Sequence, residues 1–165
     1  MSDHATVGQP SRRRIVLAAL ASLVLIVAWL GYRDYEVRHV AHRAEEMVQA
    51  ARDGALSLTT IDHEHIDENV QRILDASTGS FRDDFEQRAQ PFADAARKAQ
   101  SKSVGTVTAA GVESTGSEEG QVLLAMTVMT SNRGVPETQP KAWRMRVTVT
   151  STDGGYKVSR VEFVP

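Results

Sequence analysis

Potential metal ligands and proton carriers crowd together once in this sequence, at Asp62-His63-Glu64-His65-Ile66-Asp67-Glu68. On an extended segment a His-x-His pair can present both imidazoles to one metal ion, with a neighbouring carboxylate as third ligand. On a helix, residues two apart diverge, and this stretch reads as a loop entering a helix. There Asp67 is a candidate N-cap, and acids at that end favour the helix dipole. The cluster is read as a solvated loop that starts a helix, with a metal site as the alternative. His39 and His42 lie beside an apolar stripe and read as surface side chains. Arg144 and Arg146, with Lys157 and Arg160 on the next strand, form a candidate partner-binding patch for lipid headgroups or an acidic partner. A solvated sheet face with cross-strand pairs is the competing reading. The sequence has no phosphate-binding glycine loop, no serine in a nucleophile elbow and no paired histidines of a zinc protease. No catalytic residue, cofactor or metal is assigned, and the chain is read as non-enzymatic.

Composition narrows the partners. Of the 19 basic and 21 acidic side chains, three and one precede residue 33, leaving 16 against 20 beyond it. A duplex-binding surface needs a basic excess, so nucleic acid is not expected as a partner. Cysteine is absent, which excludes a disulfide framework and thiolate chemistry.

The elements that must position these residues begin with an apolar run. Residues 15–32 read IVLAALASLVLIVAWLGY, and at 1.5 Å per residue span about 27 Å, close to a bilayer's hydrocarbon thickness. Arg12, Arg13 and Arg14 precede the run, whereas Arg33 and Arg38 beyond it are balanced by Asp34 and Glu36. That bias keeps the N-terminus cytoplasmic and sends the rest outward, with Trp29 and Tyr32 at one headgroup boundary. A cleaved secretory signal would need a small-x-small site, which Trp29, Leu30 and Tyr32 fit poorly. The expected organisation is a cytoplasmic tail at 1–14, a transmembrane helix at 15–32, a stalk and first helix at 33–60, and an extracytoplasmic domain over 61–165.

Beyond the run, Val37, Ala41, Ala44, Val48, Ala51, Ala55 and Leu58 alternate steps of four and three. This stripe suits a helix packed on the protein's own sheet; the same heptad spacing leaves self-association through the first helix as an alternative. A short helix is expected near 67–76, with Ile66, Val70, Ile73 and Leu74 on one face. A third carries Phe81, Phe85, Ala89, Phe92 and Ala96, kinked or restarted at Pro91. Four strands follow, at 104–113, 121–130, 142–151 and 156–164. Trp143, Met145, Val147 and Val149 alternate with polar residues and mark a buried face. A bulge near Ser159-Arg160 would bring Tyr156, Val158, Val161 and Phe163 to one side. The strand at 121–130 is apolar on both phases and reads as central and covered twice. The fold class is α+β: three helices packed on a curved four-stranded antiparallel sheet, after a single transmembrane helix.

Three segments carry a family resemblance: Leu58-Thr59-Thr60-Ile61-Asp62, Ala76-Ser77-Thr78-Gly79-Ser80-Phe81, and the closing stretch from Asp153-Gly154-Gly155-Tyr156 to Val164. Together with the Arg-flanked anchor and the Ala-rich helix, they resemble the Mce-associated membrane proteins of actinobacteria, which usually carry Trp where Tyr156 stands. The resemblance implies a cone-shaped, nuclear-transport-factor-2-like or cystatin-like domain. It also implies an accessory role beside Mce lipid- or sterol-transport machinery in the cell envelope, and it transfers no catalytic residues. The layout also looks like inner-membrane assembly factors of type IV secretion systems. A third reading is a ligand-binding or enzymatic cone, which needs ionisable groups such as His63, His65 or Asp67 at the cone mouth.

If residues 15–32 are retained as an anchor, N-terminal sequencing of protein extracted from membranes finds no mature end near residue 33. A start near 33 identifies a cleaved signal instead.

Overall fold

The computed structural model describes residues 12–135 and 140–165; within 12–40 the side chains described are Leu20, Leu25, Ile26, Ala28, Trp29 and Tyr32. The chain divides into two compact units, Met1–His42 and Arg43–Pro165. In the first unit the backbone is helical from Arg12, and its six described side chains are exposed. Among the described residues no helix is long and apolar enough to cross a membrane. The transmembrane helix expected at 15–32 rests on side chains that mostly lie outside the described residues.

Helix α1 spans Arg12–Thr59. It stops where β-branched residues gather: the Thr59 hydroxyl turns back on the Ala55 carbonyl (2.7 Å), and Thr60 N–H closes the last turn on Leu56. Strand β1, Ile61–Asp62, follows, and then a 3-10 turn at His63–His65. Next come α2 (Ile66–Asp75), α3 (Gly79–Ala99), β2 (Lys102–Thr115), β3 (Glu119–Ser131), β4 (Lys141–Thr152) and β5 (Gly155–Phe163). The sheet is antiparallel in the order β1-β2-β3-β4-β5. It therefore has five strands, not four. The extra one is two residues long, too short to show a period; pairing of Ile61 with Ser103 and Asp62 with Lys102 defines it.

The main core joins Met47, Ala51 and Ala55 of α1 to Val122, Leu124, Met126, Met145, Val147, Val149 and Val158 of the sheet. The stripe read from the sequence thus packs on the protein's own sheet from Met47 onward. A second cluster holds α2 and α3 together through Ile61, Ile66, Ile73, Ala93 and Ala96, with Phe85 edge-on to Phe92 at 5.8 Å. Pro91 neither ends nor restarts α3, which runs through it; the cost is the hydrogen bond that the Gln87 carbonyl would have received.

Register supplies the rest. Thr148 pairs with Arg160 and Val149 with Val158, so Ser159 is the extra residue of a bulge where one was expected. The bulge returns Val161 to the core side. Phe163 shares that side but stays exposed, edge-on to Trp143 at 5.5 Å. The linker before α3 extends the sheet at the β5 edge: Val158 N–H donates to the Ala76 carbonyl and receives the Thr78 N–H on its own carbonyl. One expectation fails. Strand β3 is central but buried on one face only, through Val122, Leu124, Met126 and Val128; Leu123 and Met129 of the other face are exposed.

Small residues set how near α1 lies to the sheet. A Cβ built on Gly54 would come within 2.3 Å of Val158 Cγ2, and a buried β-branched side chain has little freedom to move aside. Gly54→Ala is expected to cost about 1–3 kcal/mol through overpacking, although alanine ordinarily gains about 1 kcal/mol over glycine in a helix. Gly111, where a Cβ meets nothing within 4 Å, is the control; Gly111→Ala should stay within about 0.5 kcal/mol of the parent or gain slightly. Thermal melts of both variants in detergent check this, and an unimpaired Gly54→Ala protein contradicts the close approach.

Candidate interaction surface and cleft

Strand pleating places Arg144 and Arg146 on the β4 face opposite Met145 and Val147, turned away from the core. Pairing adds the other two predicted cations to that outer face: Arg160 stands opposite Thr148 and Lys157 opposite Thr150. All four patch residues therefore share one surface, on which Arg146 and Arg160 are paired with carboxylates. Arg146 grips Glu113 of β2 with two nitrogens, Nε on Oε2 and Nη2 on Oε1 at 2.8 Å. Glu162, opposite Arg146 on β5, lies 3.7 Å from Arg146 and 3.8 Å from Arg160. Arg144 donates to the Pro165 carbonyl at 3.5 Å. The basic patch is thus a ladder of alternating sign, because a face with one carboxylate on each flank of β4 neutralises its middle rung.

Hydrogen bonding from Arg146 holds the Glu113 carboxyl below its usual value of 4.5, and Glu113 in turn raises Arg146. The same face carries exposed apolar side chains that the sequence did not reveal. Val104 and Met129 face each other across β2 and β3 at 49% and 51% exposure, and Leu123 stands opposite Arg146. An alternating pattern would have flagged an outward face, but β3 is apolar on both phases.

The Asp62–Glu68 cluster resolves into a cap and a surface turn. The Asp62 side chain accepts from Glu64 N–H at 3.1 Å and meets Lys102 Nζ at 3.0 Å. These contacts, the backbone bond first, lower the Asp62 pKa. Nδ1 of His63 and of His65 lie 3.7 and 4.0 Å from the same carboxylate. The ammonium of Lys102 already pairs with that carboxylate. Among the described residues no group of three or more His, Asp or Glu is placed to hold a metal ion. Asp67 is not the N-cap, a position that falls to His65 without a side-chain bond; it pairs instead with Arg97 of α3 at 2.5 and 2.6 Å.

An apolar cleft of about 340 Å³ opens between the end of α1, α3 and the inner face of the sheet, among Leu58, Ile61, Phe92, Val128 and Trp143. Its lining carries hydroxyls but no ionisable side chain, and His63, His65 and Asp67 are not part of it. The residues named for an enzymatic cone therefore do not converge there. Of the orientation residues, Arg12, Arg13 and Arg14 have side chains outside the described residues, while Trp29 and Tyr32 are exposed.

Because the folded pKa of Glu113 is depressed, its contribution to stability is present above pH 4.5 and is lost as pH falls through the lower folded value. Glu113→Gln should melt below the parent at pH 7, and the gap should close near pH 2. A gap that persists in acid refutes the ion-pair assignment.

Comparison with known proteins places this architecture. The model of the family described as "Uncharacterized protein Rv1363c/MT1408-like" matches residues 12–165. The protein "Uncharacterized protein Rv1363c" of Mycobacterium tuberculosis is 38% identical over 159 residues, which cover 93% of this chain. The chain spans 61% of that relative's length. Among solved structures, the periplasmic domain of DotI aligns with a TM-score of 0.59 at 15% identity, over 72% of this chain and 92% of its own. An IcmL-like type IV secretion system protein of Legionella pneumophila aligns with a TM-score of 0.56 at 12% identity, over 76% and 91%. At those identities the likeness carries the fold: three helices on an antiparallel sheet. The match over residues 12–165, with a relative at 38% identity, makes this chain a member of the Rv1363c/MT1408-like family.

Proposed function

We propose that this protein is a non-enzymatic scaffold or accessory subunit of a membrane complex in the cell envelope. It is anchored by residues 15–32, with its N-terminus cytoplasmic and its α+β domain extracytoplasmic. The observation that carries the reading is the outer sheet face, where exposed Leu123 stands opposite Arg146 of an organised arginine–glutamate ladder and Val104 and Met129 form an exposed apolar pair farther along β2 and β3. Apolar area and fixed charges on one face are the composition of a recognition surface, whereas the cleft has no ionisable side chain in its lining to act as acid or base. The apolar run and its arginine bias support the anchor.

The finer assignment is an accessory subunit of an Mce-type lipid or sterol transport complex, supported by the sequence resemblance. A second reading, an assembly scaffold of a type IV secretion apparatus, is favoured by the fold shared with the DotI periplasmic domain and the IcmL-like protein.

Cross-linked, detergent-solubilised membranes pulled down through this chain should yield subunits of one such complex. Arg144→Glu combined with Lys157→Glu, on the outer face, should lower their recovery about tenfold. Mce subunits support the first assignment and secretion ATPases the second. Recovery of neither, with lipid uptake unchanged on deletion, refutes the scaffold role.

A further inference from the structure

The apolar cleft beside the end of α1 has the size and composition of a small-molecule pocket. Its volume of about 340 Å³ falls at the low end of the roughly 300–1,000 Å³ usual for such sites. Leu58 of α1, Ile61 of β1, Phe92 of α3, Val128 of β3 and Trp143 of β4 wall it. Ile61 and Val128 are buried, whereas Leu58, Phe92 and Trp143 are half-buried. An apolar concavity takes an apolar guest in preference to water.

Hydroxyls gather where β2 begins and β3 ends. Ser103 and Thr130 stand opposite each other across these strands, and Ser101 lines the cleft beside them. Two of the lining hydroxyls are used by the fold: Ser103 Oγ donates to the Thr59 carbonyl at 2.8 Å, and Thr59 Oγ1 donates to the Ala55 carbonyl at 2.7 Å. The hydroxyls of Ser101 and Thr130, both half-buried, make no hydrogen bond to another described residue, so they are available to a ligand's polar end. Charge and volume then select the guest. No ionisable side chain lines the cleft, and Lys102, between Ser101 and Ser103 in the chain, is held by Asp62. A carboxylate or phosphate head would therefore lose hydration there without a counter-charge. An apolar cavity of about 150 Å³ holds benzene, so this one has room for a single alkyl chain of roughly ten carbons and not for the two of a phospholipid.

We propose that this cleft binds the chain of a neutral single-chain lipid of the monoacylglycerol class, with its hydroxyl head at Ser101 and Thr130. The inference goes beyond the scaffold role and does not depend on which complex the protein joins. Affinity comes from apolar burial along the chain, and the two hydroxyls give the preference for an alcohol head over an acid.

Photolabelling of the full chain in phosphatidylcholine nanodiscs tests it. The probe is 1-decanoylglycerol with a diazirine in its chain; decanoic acid and phosphatidylcholine carrying the same group are the comparisons. Adducts are mapped by tandem mass spectrometry, and only those on the peptides that contain Phe92 and Trp143 are counted. Decanoylglycerol is expected to label both peptides at least about threefold more than either comparison, and unmodified decanoylglycerol should compete that labelling away. Ala95→Trp, which brings an indole into the cleft from an exposed position of α3, should cut it about tenfold. Should Ala95→Trp not fold, Ala99→Trp, also exposed and in the lining, gives the same reading. Thr130→Val removes a hydroxyl and keeps the shape; it should cut decanoylglycerol labelling about threefold and leave decanoic acid labelling unchanged. Absence of competed labelling on the two peptides overturns the proposal, as does labelling unchanged in a folded Ala95→Trp or Ala99→Trp protein. Equal labelling by decanoic acid or by phosphatidylcholine also overturns it, the first identifying an acid site and the second contact with the bilayer.

Discussion

Small side chains let the C-terminal part of α1 lie so close to the sheet that positions 54, 105 and 120 have no room for a methyl group. A Cβ at Gly105 would fall 2.0 Å from Thr59 Oγ1, and one at Gly120 would fall 2.5 Å from Met47 Sδ. Ala51 and Ala55, both fully buried, continue the same seam. Close packing of this kind yields dispersion contacts rather than large transferred areas. It fixes α1 over β3 to β5, and with it the concave side of the sheet. The outer face is left uncovered by that helix.

That constraint explains which features the sequence disclosed. The alanine-rich stripe has heptad spacing, and spacing alone does not separate a coiled-coil seam from a tight helix–sheet contact; the glycines opposite it decide. The buried phase of β4 and the bulge at Ser159 were legible because a period of two, once broken, has to be restored somewhere. Strand β1 was not legible, since two residues carry no period and pairing with Lys102 and Ser103 is a tertiary fact. The double covering expected of β3 was wrong for a related reason. Apolar residues on both phases show that burial is affordable on either face, not that something covers both.

For the four cations of the outer face, the reading as a solvated sheet face with cross-strand pairs is the one that the ion pairs match. Arg144, Arg146, Lys157 and Arg160 share a face, and the carboxylates that neutralise part of it come from Glu113 of β2, two strands away, and Glu162 of β5. Only register could pair them. The histidine cluster tells the same story: Asp62 is engaged by a backbone N–H two residues on and by Lys102 from 40 residues away, contacts that ligand spacing in the sequence does not display.

The proposed scaffold role requires the Arg43–Pro165 unit to lie on the extracytoplasmic side of the membrane. Intact spheroplasts treated with external protease give the most direct reading. If residues 15–32 tether the chain as proposed, the domain is digested while an epitope placed ahead of Arg12 stays protected until the membrane is opened. A domain that survives external protease and is cut only from the cytosolic side would contradict the anchor's orientation and the scaffold role built on it.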